Sequence, residues 1–179
     1  MVDRRALIAG AAGLMAMPAA AAGLTGFTLS RLEGGEMPLA EFTGRVVLVV
    51  NTASFCGYTH QYAQLQALHE RYEARGLTVL GVPSNDFNQE SADNRRIREF
   101  CDGMFGITFP MAGLTPVRGA RAAPLYRWLA AQAGGPPRWN FHKYLVARDG
   151  LRVQAFATQV EPRAPQLIRA VEAALAVSA

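Results

Sequence analysis

Two short hydrophobic runs, residues 46–50 and 77–82, are rich in Val and Leu and carry no charge. Runs of this kind predict strands buried on both faces of a sheet. Between them, residues 59–75 place apolar side chains at helical spacing, and Gly76 follows as a C-terminal stop. A strand, a helix and a strand joined by short connections predict a right-handed βαβ unit with parallel neighbouring strands. The apolar positions of the helix are Tyr62, Leu65, Leu68 and Tyr72.

The second half of the chain predicts more helices and an antiparallel hairpin. Residues 93–101 and 124–133 have helical patterns, and residues 163–177 form an amphipathic helix. Residues 139–147 and 151–156 alternate around a turn that contains Asp-Gly, as is typical of a β-hairpin. This order predicts the α/β class, with a mixed central sheet flanked by helices on both faces. It is compatible with a thioredoxin-like fold.

Length and composition indicate one domain of ordinary size. The chain has 179 residues, of which 50% are hydrophobic, and a formal net charge of +4. Its arginines are scattered, and the densest group, Arg95, Arg96 and Arg98, is interleaved with acidic residues. That arrangement is typical of a solvated helix face, so we do not expect nucleic-acid binding.

The N-terminus has a different pattern from the rest of the chain. Arg4 and Arg5 precede an uncharged stretch, residues 6–22, that is rich in Ala and Gly and ends in small residues. This is the order of a secretory signal peptide, and a proline interrupts the stretch as a membrane span. We therefore expect export to the periplasm, cleavage near Ala22 and no stable membrane insertion afterwards. The paired arginines leave the Sec and twin-arginine routes open.

The predicted organisation has three parts. Residues 1–22 form the signal peptide, and residues 23–36 form an extended lead-in that contains several glycines. Residues 37–179 form the single folded domain.

The chain contains only two cysteines, Cys56 and Cys101. Cys56 lies just past the first predicted strand, at the turn into the first helix, where free backbone N–H groups and the helix dipole favour a thiolate. Gly57 beside it leaves room for a substrate to approach the backbone. Taken alone, such a cysteine is also compatible with a buried structural thiol.

Other uses of Cys56 fit the sequence less well. A dithiol CxxC motif is absent, since the fourth position is Thr59. His60, His69 and His142 are dispersed and do not have the spacing of metal ligands. A Cys-His protease needs a base that the sequence does not locate. One exposed thiol with a second, distant thiol fits peroxide chemistry, in which a sulfenic acid is returned to a disulfide.

Three motifs in order resemble those of the glutathione peroxidase family. Residues 51–59, NTASFCGYT, resemble its nucleophile motif NxASxCGxT. Residues 81–87, GVPSNDF, followed by Gln89 and Glu90, resemble its second motif, and residues 139–146, WNFHKYLV, resemble WNFxKFLV. The similarity extends over nearly the whole predicted domain.

The resemblance implies a peroxidase that reduces hydrogen peroxide and organic hydroperoxides. Cys56 would be the attacking thiolate, and Gln89, Trp139 and Asn140 would donate hydrogen bonds around its sulfur. Amide and indole N–H groups stabilise a thiolate without adding charge, so these residue types suit that task.

Cys101, in the sequence IREFC, is similar to the resolving cysteine of non-animal members. The resemblance implies a disulfide between Cys56 and Cys101, reduced by a thiol co-substrate, glutathione or a thioredoxin-like protein, with no bound cofactor or metal. Such a bond needs Cα atoms within about 7 Å, so a larger separation would require the second helix to loosen. Family members that form tetramers carry a longer segment before the WNF motif. The short segment here, residues 130–138, therefore favours a monomer.

A second class of function stays open on the sequence alone. The chain could be a thioredoxin-fold redox sensor or thiol-disulfide partner protein, whose disulfide is the output. Peroxiredoxins are disfavoured because their TxxC signature is absent: the nearest preceding threonine, Thr52, is one residue too far from Cys56.

Overall fold

The structure is a computed structural model that describes residues 23–177; the predicted signal peptide lies outside the described residues. Within these residues, six strands and four α-helices follow one another. The strands are β1 (Thr28–Ser30), β2 (Glu36–Pro38), β3 (Val46–Thr52), β4 (Leu77–Pro83), β5 (Lys143–Val146) and β6 (Val153–Phe156). The helices are α1 (Gln61–Tyr72), α2 (Asn94–Phe105), α3 (Pro124–Ala133) and α4 (Pro165–Ala176).

The central sheet has four strands in the order β4-β3-β5-β6. β3 and β4 are parallel, with Val46 opposite Leu77 and Thr52 opposite Pro83. β5 pairs antiparallel with both β3 and β6. The predicted βαβ unit, the predicted hairpin and the mixed sheet are therefore confirmed.

Two hydrophobic clusters cover the two faces of this sheet, because successive side chains of a strand point to opposite faces. Val46, Leu48 and Val50 of β3 belong to the cluster that includes residues of α1, α2 and α4. Val47 and Val49 belong to the other cluster, which includes residues of α3 and the N-terminal segment. All seven residues of β3 are buried, so the strand that leads to Cys56 is a rigid support.

Residues 23–38 contain structure that the sequence pattern did not predict. β1 and β2 pair as a short antiparallel hairpin, and Leu24, Phe27 and Met37 are buried in the cluster on the α3 side. Hydrophobic residues are too sparse here to show a strand period. The expected extended lead-in is therefore folded against the sheet.

The strand predicted over residues 139–147 is shorter in the structure. β5 begins only at Lys143, because Phe141 has a φ of 61°, a left-handed conformation that interrupts a strand. Trp139 and Asn140 consequently lie in a turn ahead of β5. Among residues 23–177, no helix is both long and apolar enough to cross a bilayer.

Candidate active site

Cys56 lies in the turn between β3 and α1, and the residue is 8% exposed, less than the sequence predicts. Thr59 holds this turn: its Oγ1 accepts the Cys56 N–H at 3.0 Å and donates to the carbonyl of Ala53 at 3.0 Å. The turn directs the Tyr58 N–H towards the Cys56 sulfur, at 3.4 Å. A backbone donor in this position stabilises negative charge on a sulfur atom.

The second and third motifs meet beside this turn. The Phe55 N–H donates to the Gln89 carbonyl at 3.0 Å, which places Gln89 against the residue that precedes Cys56. Asn140 Nδ2 donates to Gln89 Oε1 at 2.9 Å. Asn140 is fully buried and Gln89 is half-buried. Gln89 Oε1 accepts this bond, and Gln89 Nε2, which makes no hydrogen bond among residues 23–177, is free to donate to a ligand.

Asn51 fastens the turn that carries Trp139 and Asn140 to the end of β3. Its Nδ2 donates to the Trp139 carbonyl at 3.1 Å, and its own carbonyl accepts the Phe141 N–H at 2.6 Å. The Trp139 ring packs on Phe87 with centroids 5.2 Å apart, and the residue is 40% exposed. Trp139 therefore borders the site at the protein surface.

The structure thus brings Gln89 and Asn140 together beside the Cys56 turn, and Asn51 holds Trp139, the residue before Asn140, at the end of β3. The one donor that reaches the Cys56 sulfur within the described part of the chain is the Tyr58 N–H. No hydrogen bond joins that sulfur to the three predicted donor side chains there, so their role in catalysis stays a prediction. Within residues 23–177, no group of three or more His, Cys, Asp or Glu could hold a metal ion.

Cys101 lies on the inner face of α2 with no exposed surface, in the same hydrophobic cluster as Cys56. Both cysteines are free thiols. Burial raises the pKa of the Cys101 thiol to about 11; the nearby Tyr62 hydroxyl opposes this rise, and the charge of Glu90 adds to it. While α2 is folded, Cys101 is therefore a neutral thiol at neutral pH.

Sequence reasoning missed a buried carboxyl group close to the site. Glu90 is 7% exposed, and burial raises its pKa, with hydrogen bonding from Ser54 and the Ser91 N–H opposing the rise. Ser91 N lies 2.7 Å from Glu90 Oε1. Ser54 is close enough to affect the carboxyl, although neither Ser54 Oγ nor Glu90 Oε2 has a partner of full hydrogen-bond geometry among the described residues. Hydrophobic periodicity cannot signal a buried carboxyl.

Two further structural residues, Asn51 and Thr59, could have been found from the sequence. Both occupy fixed positions of the NxASxCGxT motif, but the motif alone assigned neither of them a structural role. Their contacts show that the motif encodes the turn as well as the nucleophile.

The two cysteines should differ sharply in their reaction with iodoacetamide near neutral pH. We expect peptide mass spectrometry to find Cys56 alkylated in the native protein and Cys101 alkylated only after denaturation, because Cys101 is sealed and protonated. The Cys56→Ser variant, as a control, should take up almost no label while folded. Equal labelling of both native cysteines would contradict the burial of Cys101.

Known proteins are similar to this chain in sequence. The family model for glutathione peroxidase matches residues 24–130, a range that includes Cys56, Gln89 and Cys101. The glutathione peroxidase of Lactococcus lactis is 41% identical over 141 residues, which cover 76% of this chain and 90% of that protein. A hydroperoxy fatty acid reductase of Synechocystis is 40% identical over 148 residues, which cover 76% and 88%.

Solved structures are similar to this chain in fold. The crystal structure of Trgpx in its apo form superposes with a TM-score of 0.71 at 31% identity, covering 87% of this chain and 97% of that one. A thiol:disulfide interchange protein of Chlorobium tepidum has a TM-score of 0.62 at 20% identity, which is a likeness of the thioredoxin-like fold alone. On the family match and the identity to its relatives, this chain belongs to the glutathione peroxidase family.

Proposed function

We propose that this chain is a thiol peroxidase in which Cys56 reduces hydrogen peroxide and organic hydroperoxides. The observation that carries the proposal is the position of the Cys56 sulfur, in the turn after β3, with a backbone N–H directed at it and with the Gln89–Asn140 pair against the same turn. The names of its relatives support it: a glutathione peroxidase, a hydroperoxy fatty acid reductase and a glutathione peroxidase-like peroxiredoxin of Schizosaccharomyces pombe.

In the first step, the Cys56 thiolate attacks one oxygen of the hydroperoxide. A sulfur–oxygen bond forms, the oxygen–oxygen bond breaks, and the leaving oxygen takes a proton to depart as water or an alcohol. Cys56 is left as a sulfenic acid. Side-chain N–H groups of Gln89, Asn140 and Trp139 would donate to the charge that develops on the oxygens, and Gln89 Nε2 is free to do so.

In the second step, the sulfur of Cys101 attacks the sulfenic sulfur of Cys56, a disulfide forms and water leaves. Cys101 is buried and protonated in folded α2, so this step requires local opening of that helix. Two equivalents of a thiol, from glutathione or a thioredoxin-like protein, would then reduce the disulfide. The protein itself needs no bound cofactor for this cycle.

Peroxide consumption with a panel of thiol reductants tests the proposal. We expect turnover by the wild-type protein and background rates for Cys56→Ser, because the nucleophile is lost. Cys101→Ser should still consume one equivalent of peroxide in stopped-flow experiments and should lose turnover with thioredoxin-like reductants. A wild-type protein that reacts slowly with peroxide and turns over with no reductant would instead support a redox sensor or thiol-disulfide partner protein.

Gly103 offers a test of helix opening. It lies on the exposed side of α2, and an added Cβ would meet no atom within 4 Å. Gly103→Ala should stabilise the helix by about 0.5–1 kcal/mol. Formation of the Cys56–Cys101 disulfide should slow by about 2- to 5-fold, while the first reaction with peroxide keeps its rate and serves as the internal control.

Mass spectrometry of samples quenched after a peroxide pulse measures this disulfide. An unchanged rate in Gly103→Ala would contradict the requirement for α2 opening. Absence of the disulfide in oxidised wild-type protein would remove Cys101 from the cycle.

We further propose that the protein acts in the periplasm as a monomer after cleavage near Ala22. The pattern of residues 1–22 and the short segment at residues 130–138 support this. N-terminal sequencing of protein from a periplasmic fraction should begin close to Gly23, and sedimentation should give the mass of one chain. Recovery of an intact Met1 form from the cytoplasm would contradict export. An oxidising compartment would require a dedicated thiol reductant.

A further inference from the structure

A fully buried lysine lies behind the proposed active site. Lys143, the first residue of β5, has no exposed surface. Its Nζ donates to Gln61 Oε1 at 2.6 Å and to the Thr158 carbonyl at 3.2 Å. Burial lowers the pKa of this amine to about 7, and the charge of Glu161 opposes that shift. An amine in a dry interior is costly unless its hydrogen bonds are made, and here two acceptors are in place.

Thr158 connects this lysine to the proposed donors. Its carbonyl accepts from Lys143 and from Gln61 Nε2, at 2.9 Å for the latter. Its hydroxyl donates to the Asn140 carbonyl at 2.8 Å. Asn140 in turn donates to Gln89 Oε1. A continuous series of hydrogen bonds therefore runs from the lysine, through Thr158, to both side-chain amides.

The Asn140 turn needs such support because regular structure does not hold it. The next residue, Phe141, has a positive φ, and β5 starts only two residues later. Thr158 also lies outside the sheet, past the end of β6 at Phe156. Lys143, by contrast, is paired with Val50 of β3 in the centre of the sheet. It is the member of the series that is anchored to a rigid strand.

The surroundings of Lys143 bring the start of α1 and the loop after β6 to the same point. Gln61 is the first residue of α1, and its Nε2 lies 3.3 Å from Glu161 Oε1. The Glu161 carboxylate also accepts from Gln64 Nε2 at 2.7 Å and pairs with His60 Nε2 at 3.1 Å. The lysine thus has a nearby counter-charge without direct contact, which leaves its own hydrogen bonds directed at Gln61 and Thr158.

We propose that Lys143 is a positioning residue for peroxide reduction: it fixes the Thr158 loop, and through it keeps the Asn140 and Gln89 side chains beside the Cys56 turn. This inference rests on the proposed function. Lys143 acts on the amides through its bond to the Thr158 carbonyl, while its bond to Gln61 ties the same lysine to α1.

Substitutions at two positions test this connection. Lys143→Met keeps the length and removes the donors, while Thr158→Val keeps the shape and removes the hydroxyl. We expect each to lower the second-order rate constant of Cys56 with hydrogen peroxide about tenfold, because the oxygen-binding donors lose their alignment. Thr158→Ser retains the hydroxyl and should stay within about twofold of the wild type. The double variant should be no slower than the slower single variant, since both break one series of bonds.

Two controls separate positioning from loss of structure. Tyr144→Phe removes another buried hydrogen bond from β5, from the Tyr144 hydroxyl to the Gly135 carbonyl at 2.7 Å, and should leave the peroxide rate within about twofold. Alkylation of Cys56 by iodoacetamide needs no donor to oxygen. We expect its rate to change less than about twofold in Lys143→Met and Thr158→Val.

Unchanged peroxide rates in both of these variants would overturn the proposal. So would parallel losses of peroxide and alkylation rates, or an equal loss in Tyr144→Phe, because these would reflect general disruption. If Lys143→Met does not fold, the contrast between Thr158→Val and Thr158→Ser still decides the matter. The proposed function fails separately, if the wild-type protein reacts with peroxide no faster than Cys56→Ser.

Discussion

The site depends above all on the hydrogen bonds between Asn51 and the turn that precedes β5. Asn51 is part of the strand that leads to Cys56. It binds the backbone of Phe141 and of Trp139, which lies 88 residues further along the chain. Both hydrogen bonds lie at the carboxyl end of β3, past Val50, the last residue of β3 that pairs with β5. They bring the strand of the proposed nucleophile together with the turn of the proposed donors. One of these bonds is made by the buried Asn51 side chain and the other by its backbone carbonyl, so a single buried residue sets the position of the turn relative to β3.

The two cysteines differ in chemistry although both belong to one hydrophobic cluster. Cys56 lies at the end of a strand, where backbone N–H groups are available, and Cys101 lies inside a hydrophobic cluster that raises the pKa of its thiol. The apolar packing that stabilises α2 also keeps Cys101 away from any partner. In the proposed cycle this arrangement orders the steps, since oxidation of Cys56 can occur in the folded state and resolution must wait for α2 to open.

Polar groups are concentrated at one end of an otherwise apolar sheet. Lys143, Thr158 and Asn140 are all buried, and the hydrogen bonds between them run through the protein behind the site. A buried polar group without partners would cost free energy, so each of these side chains restricts where the others can lie. The neutral amides of Asn140 and Gln89 lie beside the Cys56 turn, and the buried amine of Lys143 is separated from them by Thr158. The fixed positive charge is therefore not in contact with the amides.

Local pattern alone was sufficient for β3, β4 and α1, because a strand buried on both faces and a helix with one apolar side each leave a periodic signal. It also placed Cys56 between a strand end and a helix start, and the motif letters pointed to Gln89, Trp139, Asn140 and Cys101. The tertiary structure alone decided the β1–β2 hairpin, the left-handed Phe141 that releases Trp139 and Asn140 from β5, the sealing of Cys101 and the path from Lys143 to Asn140. The hairpin is held by its packing against the sheet, and the other features depend on contacts between residues distant in the chain. Hydrophobic periodicity reports only on neighbours within one element.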